Sequence, residues 1–304
     1  MKILIIYGKD EYTTARHFEE YLKRSPQHQV IGMGLIKQGL ASVVGDQSWI
    51  QTGDKLVINE VLRSLPAAPE VIITMQGFQM MEIYGIENIE IPTIFYGIDT
   101  HTRTRDLIYR EASKYKQVYF AQKKAIKEFK EIYNKESGWM PCCAEPLIHK
   151  PMDFDLEYDF AFVGGADLPE AHKLRRETLK KLMTKYKVFI GNAYGYFMSM
   201  VYNKARVVFN HACNDDVNMR IFEAMACKRA LLTNNLSPES GLNDLFEAGK
   251  HYIPFDDKNL MDQAEKLIKD DKLRQLIAET GYKEVLEKHT YEKRMEEMLC
   301  QIKK

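Results

Sequence analysis

Short apolar runs alternate along the chain with longer amphipathic segments. The run Ile-Leu-Ile-Ile-Tyr at 3–7 is typical of a strand buried on both faces of a parallel sheet. Comparable runs lie at 29–35, 71–74, 92–97, 118–121, 139–143, 160–163, 188–190, 207–210 and 230–233. Helical spacing occurs at 10–24, 54–65, 123–135, 175–186, 221–227 and 242–248, and again from 259 to the end with breaks at Gly281 and near 289–290. Strands that alternate with helices predict an α/β fold with parallel sheets.

The alternation restarts near residue 158, which predicts two domains. A length of 304 residues agrees with that number. We place one Rossmann-like, doubly wound domain at 1–150 and a second at 151–285, followed by a helical segment at 286–304. Doubly wound sheets bind ligands beyond the carboxyl ends of their strands. The functional residues are therefore expected just after strands, in a cleft between the two domains.

The composition is that of an ordinary globular protein. Hydrophobic residues make up 45% and charged residues 28%, which argues against disorder. Lys and Arg number 43, Asp and Glu also number 43, and the formal net charge is +0. This balance does not favour nucleic acid as a partner, and we predict none. The Arg- and Lys-rich stretch 103–135 leaves contact with a membrane as a minor alternative to a solvated helix face.

Targeting and metal-binding signals are weak. The five cysteines include no C-x-x-C pair, which fits reduced thiols. The apolar run after Lys2 is too short for a secretory signal, and we predict a cytoplasmic protein. The sequence contains no H-E-x-x-H, P-loop or G-x-S-x-G motif, so zinc hydrolases, P-loop NTPases and serine hydrolases lack their usual support. We predict no metal site.

The most informative segment is 209–233. An apolar strand ends at Asn210, and the polar loop 214–216 can cap the helix that follows. Arg220 and Glu223 are three residues apart, on one face of that helix. Helix N-termini bind phosphates, and a carboxylate one to two turns further in can accept hydrogen bonds from a ribose diol. The same spacing also fits a capped helix with a surface Arg–Glu pair.

This segment also resembles a known family. The motif Phe-Glu-Ala-Met-Ala-Cys at 222–227, followed by an apolar strand and Thr233, is similar to the nucleotide-sugar-binding segment of GT-B glycosyltransferases. The similarity is greatest to the CgeB/YkvP-like group, which is related to the family-1 and family-4 retaining transferases. Further similarity lies at 162–165, 245–250 and 289–294, and weaker similarity at 99–101 and 121–122.

The resemblance implies an architecture and an activity. The GT-B fold has two Rossmann-like domains that face each other across a cleft, here an acceptor domain at 1–150 and a nucleotide-sugar domain at 151–285. Its C-terminal helix, here in 286–304, returns to the first domain. The implied activity is that of a hexosyltransferase-type, retaining and metal-independent glycosyltransferase. It would use a nucleotide-diphosphate sugar, with a UDP-sugar favoured, no tightly bound cofactor, and a saccharide, protein or lipid-linked acceptor.

The resemblance also assigns donor-site residues on the helix after Asn210. Glu223 matches the second Glu of a Glu-x7-Glu motif and would hold the donor ribose. Asp215 stands where the first Glu is found, near the donor sugar. Asp216 and Asn218, at the helix start, would approach the sugar or the diphosphate. Arg220 would pair with phosphate, since a guanidinium can bind it bidentately.

Other candidates lie after neighbouring strands. Gly164 and Gly165 would let the backbone approach a pyrophosphate, and the alternative is a tight turn. Arg175 would neutralise the diphosphate, or lie on a solvated helix face. Tyr194 or Tyr196, from the loop 191–196, would stack on the base, although most tyrosines are core or rim residues.

In the first domain, Asp99 and His101 are the candidates for a group that faces the donor sugar. The alternative is that this segment caps a helix, through Thr100 or Thr102. At the end of the donor-site helix, Lys228 stands where the family often has a glycine. We therefore expect this helix to end without a left-handed turn.

Two other functions stay open. One is a non-transferase GT-B enzyme, such as a nucleotide-sugar epimerase. The other is a catalytically silent nucleotide-sugar-binding or coat protein, because Asp215 replaces a Glu and the first half of the chain diverges from the family. Donor and acceptor choice would depend on the loops 36–53, 76–90 and 191–196, which contain no motif.

Overall fold

The structure is a computed structural model that describes residues 1–8, 13–35, 55–77, 81–166, 170 and 172–302. The predicted specificity loop 36–53 lies outside these residues, as do 78–80 of the loop 76–90. The chain forms two compact units. One is Met1–Pro141 with Met295–Lys304, and the other is Cys142–Arg294. The boundary between the units therefore lies between residues 141 and 142, whereas the sequence predicted it between residues 150 and 151.

The first unit is built on a parallel sheet with the strand order β2-β1-β4-β6-β7-β8. The strands of this unit are β1 Lys2–Gly8, β2 Gln29–Leu35, β3 Lys55–Val57, β4 Val71–Gln76, β5 Glu82–Tyr84, β6 Thr93–Gly97, β7 Gln117–Phe120 and β8 Gly138–Trp139. Its helices are α1 Thr14–Arg24, α2 Ile58–Ser64, α3 Arg105–Ala112 and α4 Lys124–Tyr133. A separate two-stranded sheet pairs β3 with β5.

The buried strands of this sheet explain its apolar runs. Leu4 in β1 and Phe95 in β6 are fully buried and belong to one core with Tyr109, Phe120 and Phe129. All six residues of β4 are buried. A strand that is covered on both faces needs apolar side chains at every position instead of every second one, as the sequence pattern predicted.

The second unit has a five-stranded parallel sheet with the order β10-β9-β11-β12-β13. Its strands are β9 Tyr158–Val163, β10 Val188–Gly191, β11 Ala205–Asn210, β12 Ala230–Asn234 and β13 Ile253–Phe255. The helices that come after β9 along the chain are α5 Lys173–Met183, α6 Gly195–Asn203, α7 Met219–Ala226, α8 Leu242–Leu245, α9 Leu260–Lys269, α10 Asp271–Lys288 and α11 Tyr291–Cys300. Because all neighbouring strands are parallel, β9, β11 and β12 end side by side at one edge. The last helix, α11, starts in the second unit and ends in the first.

Two local predictions are wrong. Gly281 does not break a helix, because α10 runs through it. A Cβ atom at this position would lie 2.9 Å from the carbonyl oxygen of His251, so the glycine permits close packing. Lys228 does adopt a left-handed conformation, with φ 55°. The N–H of Lys228 donates to the carbonyl oxygen of Met225, and the N–H of Arg229 donates to that of Ala224. These two hydrogen bonds form a Schellman motif at the end of α7.

Candidate functional site

Arg220 joins three elements at the carboxyl edge of the second sheet. It lies in the first turn of α7, and its Nε atom donates to the carbonyl oxygen of Val163 at the end of β9, at 2.6 Å. Its Nη1 atom donates to Oδ1 of Asn210 at the end of β11, also at 2.6 Å. The guanidinium lies 4.5 Å from the ring centroid of Phe162. The position of this cation is therefore fixed by hydrogen bonds and by ring contact.

Arg175, on α5, is a second guanidinium at the same ring. Its Nε donates to the carbonyl oxygen of His211 at 2.9 Å, and its Nη1 to that of Gly165 at 2.5 Å. The guanidinium lies 5.3 Å from the centroid of Phe162. Burial, together with the positive charge of Arg220, lowers the pKa of Arg175 to about 10. Within the described residues neither arginine forms a salt bridge, but carboxylates act on both electrostatically: Asp216 on Arg175, and Glu223 on Arg220.

Gly164 allows this arrangement. Its φ of 142° lies in a region that side chains disfavour, and a Cβ atom there would lie 2.1 Å from Nη2 of Arg220. Gly165 has no such requirement, because its Cβ would lie 3.2 Å from Cε1 of His172 and its φ is not positive. The two predicted glycines thus differ: Gly164 makes room for a guanidinium, whereas Gly165 supplies a carbonyl oxygen to the other.

The loop between β11 and α7 holds the predicted Asp215, Asp216 and Asn218. Asp215 has a left-handed φ of 60°, and its carboxylate accepts hydrogen bonds from the backbone N–H and the hydroxyl of Ser237. This exposed carboxylate therefore ties the loop to the segment after β12. The backbone oxygen of Asp216 accepts from the N–H of Asn218 at 3.0 Å. The Nδ2 atom of Asn218 donates to Oδ1 of Asn210 at 3.3 Å.

Glu223 is buried, with 8% of its surface exposed. Burial raises its pKa to about 7, and the charge of Arg220 opposes this rise. Oε1 lies 4.0 Å from Nε2 of His149. Because Nδ1 of His149 accepts the N–H of Glu145 at 3.0 Å, a neutral His149 has its proton on Nε2, facing Glu223. Arg220 and Glu223 are thus not a surface pair.

Tyr194 and Tyr196 lie at the start of α6. Both are exposed, at 51% and 54%, and Phe197 beside them is 71% exposed. The rings of Tyr196 and Phe197 meet edge to face, 6.4 Å apart. The three residues therefore present exposed aromatic surface at the start of α6.

Asp99 and His101 belong to the first unit, just after β6. Asp99 has a left-handed φ of 62°, and its Oδ2 would lie 2.9 Å from a Cβ at Gly77. His101 is half-buried. The helix-cap alternative does not hold for Thr100 or Thr102, because α3 begins at Arg105 and its capping position is Thr104. Thr100 instead donates through its N–H and its hydroxyl to the side-chain oxygen of Gln122.

The described part of the chain contains no group of three or more His, Cys, Asp or Glu placed to hold a metal ion. Asp153 and Asp155 have D-x-D spacing, and both are exposed in the segment before β9. No described helix combines the length and the apolar composition needed to span a bilayer.

Sequence reasoning missed Asn210, Phe162 and His149 as parts of the site. Asn210 has a recognisable signal, because it is a polar residue at the end of a strand whose other residues are mostly buried. His149 has none: it lies in the segment between the two strand-rich halves, and only the fold brings it to Glu223.

Comparison with known proteins finds a family similarity in the second half and structural neighbours for the whole chain. Residues 151–300 match the family model described as glycosyl transferase-like. No curated protein matches the chain. An α-glucosyltransferase solved with UDP and DNA is 11% identical over 100% of both chains, with a TM-score of 0.69.

Two further structures agree. Sucrose-phosphate synthase from Thermosynechococcus elongatus is 10% identical over 99% of this chain and 98% of its own, with a TM-score of 0.63. TarM is 14% identical over 77% of this chain and 55% of its own, with a TM-score of 0.55. The predicted two-domain, Rossmann-like GT-B fold is confirmed. Membership of the CgeB/YkvP-like group is not confirmed.

Proposed function

We propose that the protein is a glycosyltransferase that moves a sugar from a nucleotide-diphosphate sugar to an acceptor. The observation that carries this proposal is the pair of guanidiniums, Arg175 and Arg220, at the carboxyl edge of the sheet in the glycosyl transferase-like domain. Ligands of doubly wound folds bind at this edge.

The diphosphate is the group that these cations fit. Two partly buried positive charges beside one ring repel each other, and burial weakens their hydration. An anion between or beside them would relieve both effects. Guanidiniums bind phosphate oxygens through charge-assisted, often bidentate hydrogen bonds. In the transfer step they would stabilise the negative charge that develops on the leaving diphosphate.

Glu223 would hold the ribose of the donor. An ionised carboxylate accepts two hydroxyl hydrogen bonds, and these would compensate for the burial that raises its pKa to about 7. His149 faces the same carboxylate with an N–H, so it would help to orient it. Tyr196 supplies an exposed ring for the base.

The finer chemistry is also part of the proposal. We favour a UDP-sugar donor, retention at the anomeric carbon and no metal requirement. Asp215 is bound by Ser237, so we assign it to holding the loop at the start of α7. Asp99 and His101, in the first unit, would face the donor sugar. The cytoplasmic location stays a prediction.

The acceptor class is wider than the charge balance suggested. One structural neighbour was solved with UDP and a DNA that contains an HMU base, and a TarM mutant was solved with fondaparinux, α-GlcNAc-glycerol and UDP. The zero net charge of this chain therefore does not exclude a nucleic acid or another polyanion as acceptor.

The first test is binding of UDP, GDP, ADP, CMP and TDP, each with and without EDTA. A ligand at about 100 times its Kd should stabilise the protein by about 2.7 kcal/mol in a thermal-shift assay. We expect one nucleoside diphosphate to bind, unaffected by EDTA, and its sugar conjugate to be consumed only with an acceptor. Binding without turnover would favour the silent protein, and a new sugar isomer without acceptor would favour an epimerase.

Two glycine variants test whether binding uses the guanidinium pair. Gly164→Ala places a Cβ against Arg220, so we expect a loss of nucleoside-diphosphate affinity of about tenfold or more, equal to about 1.4 kcal/mol. Gly165→Ala is the matched control, with an expected change below about threefold. Equal nucleoside-diphosphate affinities for both variants would show that Arg220 does not contribute to binding.

A further inference from the structure

Asn210 is fully buried at the end of β11, and its side chain uses both of its polar atoms. Oδ1 accepts from Nη1 of Arg220 at 2.6 Å and from Nδ2 of Asn218 at 3.3 Å. Nδ2 donates to Oγ1 of Thr233 at 2.9 Å. The amide orientation follows from chemistry, because a guanidinium has only donors and must face the oxygen.

These bonds connect three elements. Arg220 and Asn218 lie at the start of α7, Asn210 ends β11, and Thr233 lies in β12. The guanidinium is held from its other side by the carbonyl oxygen of Val163, at 2.6 Å from Nε. Its place is therefore set before any ligand arrives, and a preorganised group loses little freedom on binding.

The residue type at 210 is as informative as its position. Arg220 is half-buried, and an arginine that is withdrawn from water is usually compensated by a carboxylate. Aspartate has the shape of asparagine and would accept the same hydrogen bond from Arg220. It would also cancel the positive charge that Arg220 contributes beside Arg175. Asparagine supplies the oxygen without the charge.

We infer that Asn210 is a positioning residue that fixes the guanidinium of Arg220 while leaving its charge available to an anionic ligand. The identity of that ligand as a nucleoside diphosphate rests on the proposed function. The inference about charge does not, because it concerns any anion that binds Arg220. Measuring the affinities of both pyrophosphate and UDP therefore tests the inference about Asn210 separately from the proposed function.

The experiment measures the affinities of uridine, UDP and inorganic pyrophosphate by calorimetry for the wild type, Asn210→Asp and Asn235→Asp. The control adds the same charge at an exposed residue directly after β12. We expect Asn210→Asp to lose about tenfold or more in affinity for UDP and pyrophosphate. Uridine affinity should change by less than about twofold, a selectivity that general loss of structure would not produce. Asn235→Asp should bind all three within about threefold of the wild type.

The outcomes distinguish the two ideas. Equal UDP and pyrophosphate affinities for the wild type and Asn210→Asp would overturn the inference. Pyrophosphate binding that Asn210→Asp abolishes, with no nucleotide binding by the wild type, would support the inference and refute the proposed function. If Asn210→Asp fails to fold, Asn210→Ser removes the oxygen from Arg220 without adding charge. An unchanged ratio of UDP to uridine affinity in that variant would likewise overturn the inference.

Discussion

Replacing Glu223 with Gln should remove a large part of the pH dependence of folding stability. The folded-state pKa is about 7, whereas the ordinary value is 4.5. At about 1.4 kcal/mol per pKa unit, this difference corresponds to about 3 kcal/mol. The folded protein binds the proton more tightly than the unfolded chain. The stabilisation is therefore complete below about pH 4.5 and is lost as the pH rises through about 7.

The measurement is urea unfolding of the wild type and Glu223→Gln between about pH 4 and pH 8. Other titrating groups are common to both proteins, so they cancel in the difference of unfolding free energies. Relative to Glu223→Gln, the wild type should lose about 3 kcal/mol across this range. The control is Glu177→Gln, at an exposed position of α5. Parallel stability curves for the wild type and Glu223→Gln would refute the burial argument.

The same carboxyl should link pH to ligand binding. If Glu223 accepts ribose hydroxyls, uridine binds the ionised form, and its affinity should rise by up to about tenfold per pH unit below 7 and level off above. Uridine is the better probe because the phosphates of UDP ionise in this range themselves. Glu223→Gln should flatten the profile. A wild-type profile that is already flat would contradict the ribose assignment while leaving the stability argument intact.

Two further predictions concern packing and strain in the second unit. Lys228→Gly should raise the unfolding free energy by about 0.5–1 kcal/mol because it relieves the left-handed φ of 55°. Lys228→Ala, which keeps the strain and also loses the 2.6 Å ion pair with Glu279, should give no gain in the same urea titration. Gly281→Ala should lower the unfolding free energy by about 1–3 kcal/mol, because its Cβ would lie 2.9 Å from the carbonyl oxygen of His251. A stabilised Gly281→Ala, as helix propensity alone would give, would contradict the packing explanation.

The parallel sheets could be predicted because their strands are buried on both faces. Such strands leave uninterrupted apolar runs, and those at 3–7, 71–74 and 207–210 lie within β1, β4 and β11. Pattern reading failed where an element is short or has no distinct apolar face. The strand β13 has only three residues, and α6, Gly-Tyr-Phe-Met-Ser-Met-Val-Tyr-Asn, has apolar residues around most of its circumference.

The candidate site could be predicted only in part, because its contacts are long-range. The sequence identified Arg220 and Glu223 through their spacing on one helix. It could not show that Arg220 reaches Val163, which lies 57 residues earlier, or that Arg175 approaches the same ring from another helix. Burial of Glu223 depends on the fold as well, and it is burial that changes the carboxyl from an ordinary acid to one with a pKa near 7.

The same features that suit the site to an anion should make the empty protein less stable than it could be. Gly164 takes a backbone conformation that no other residue adopts easily, and Asn210 gives Arg220 a neutral hydrogen-bond partner where Asp would form a salt bridge. Neither residue is the choice that would stabilise the fold most. Gly164 makes room for the guanidinium of Arg220, and Asn210 adds no negative charge to the partial compensation that Glu223 provides. Stability lost at a site and regained on binding is typical of residues that are kept for function. Their coincidence around one guanidinium therefore supports an anion site at this edge of the sheet more strongly than the charge of Arg220 alone.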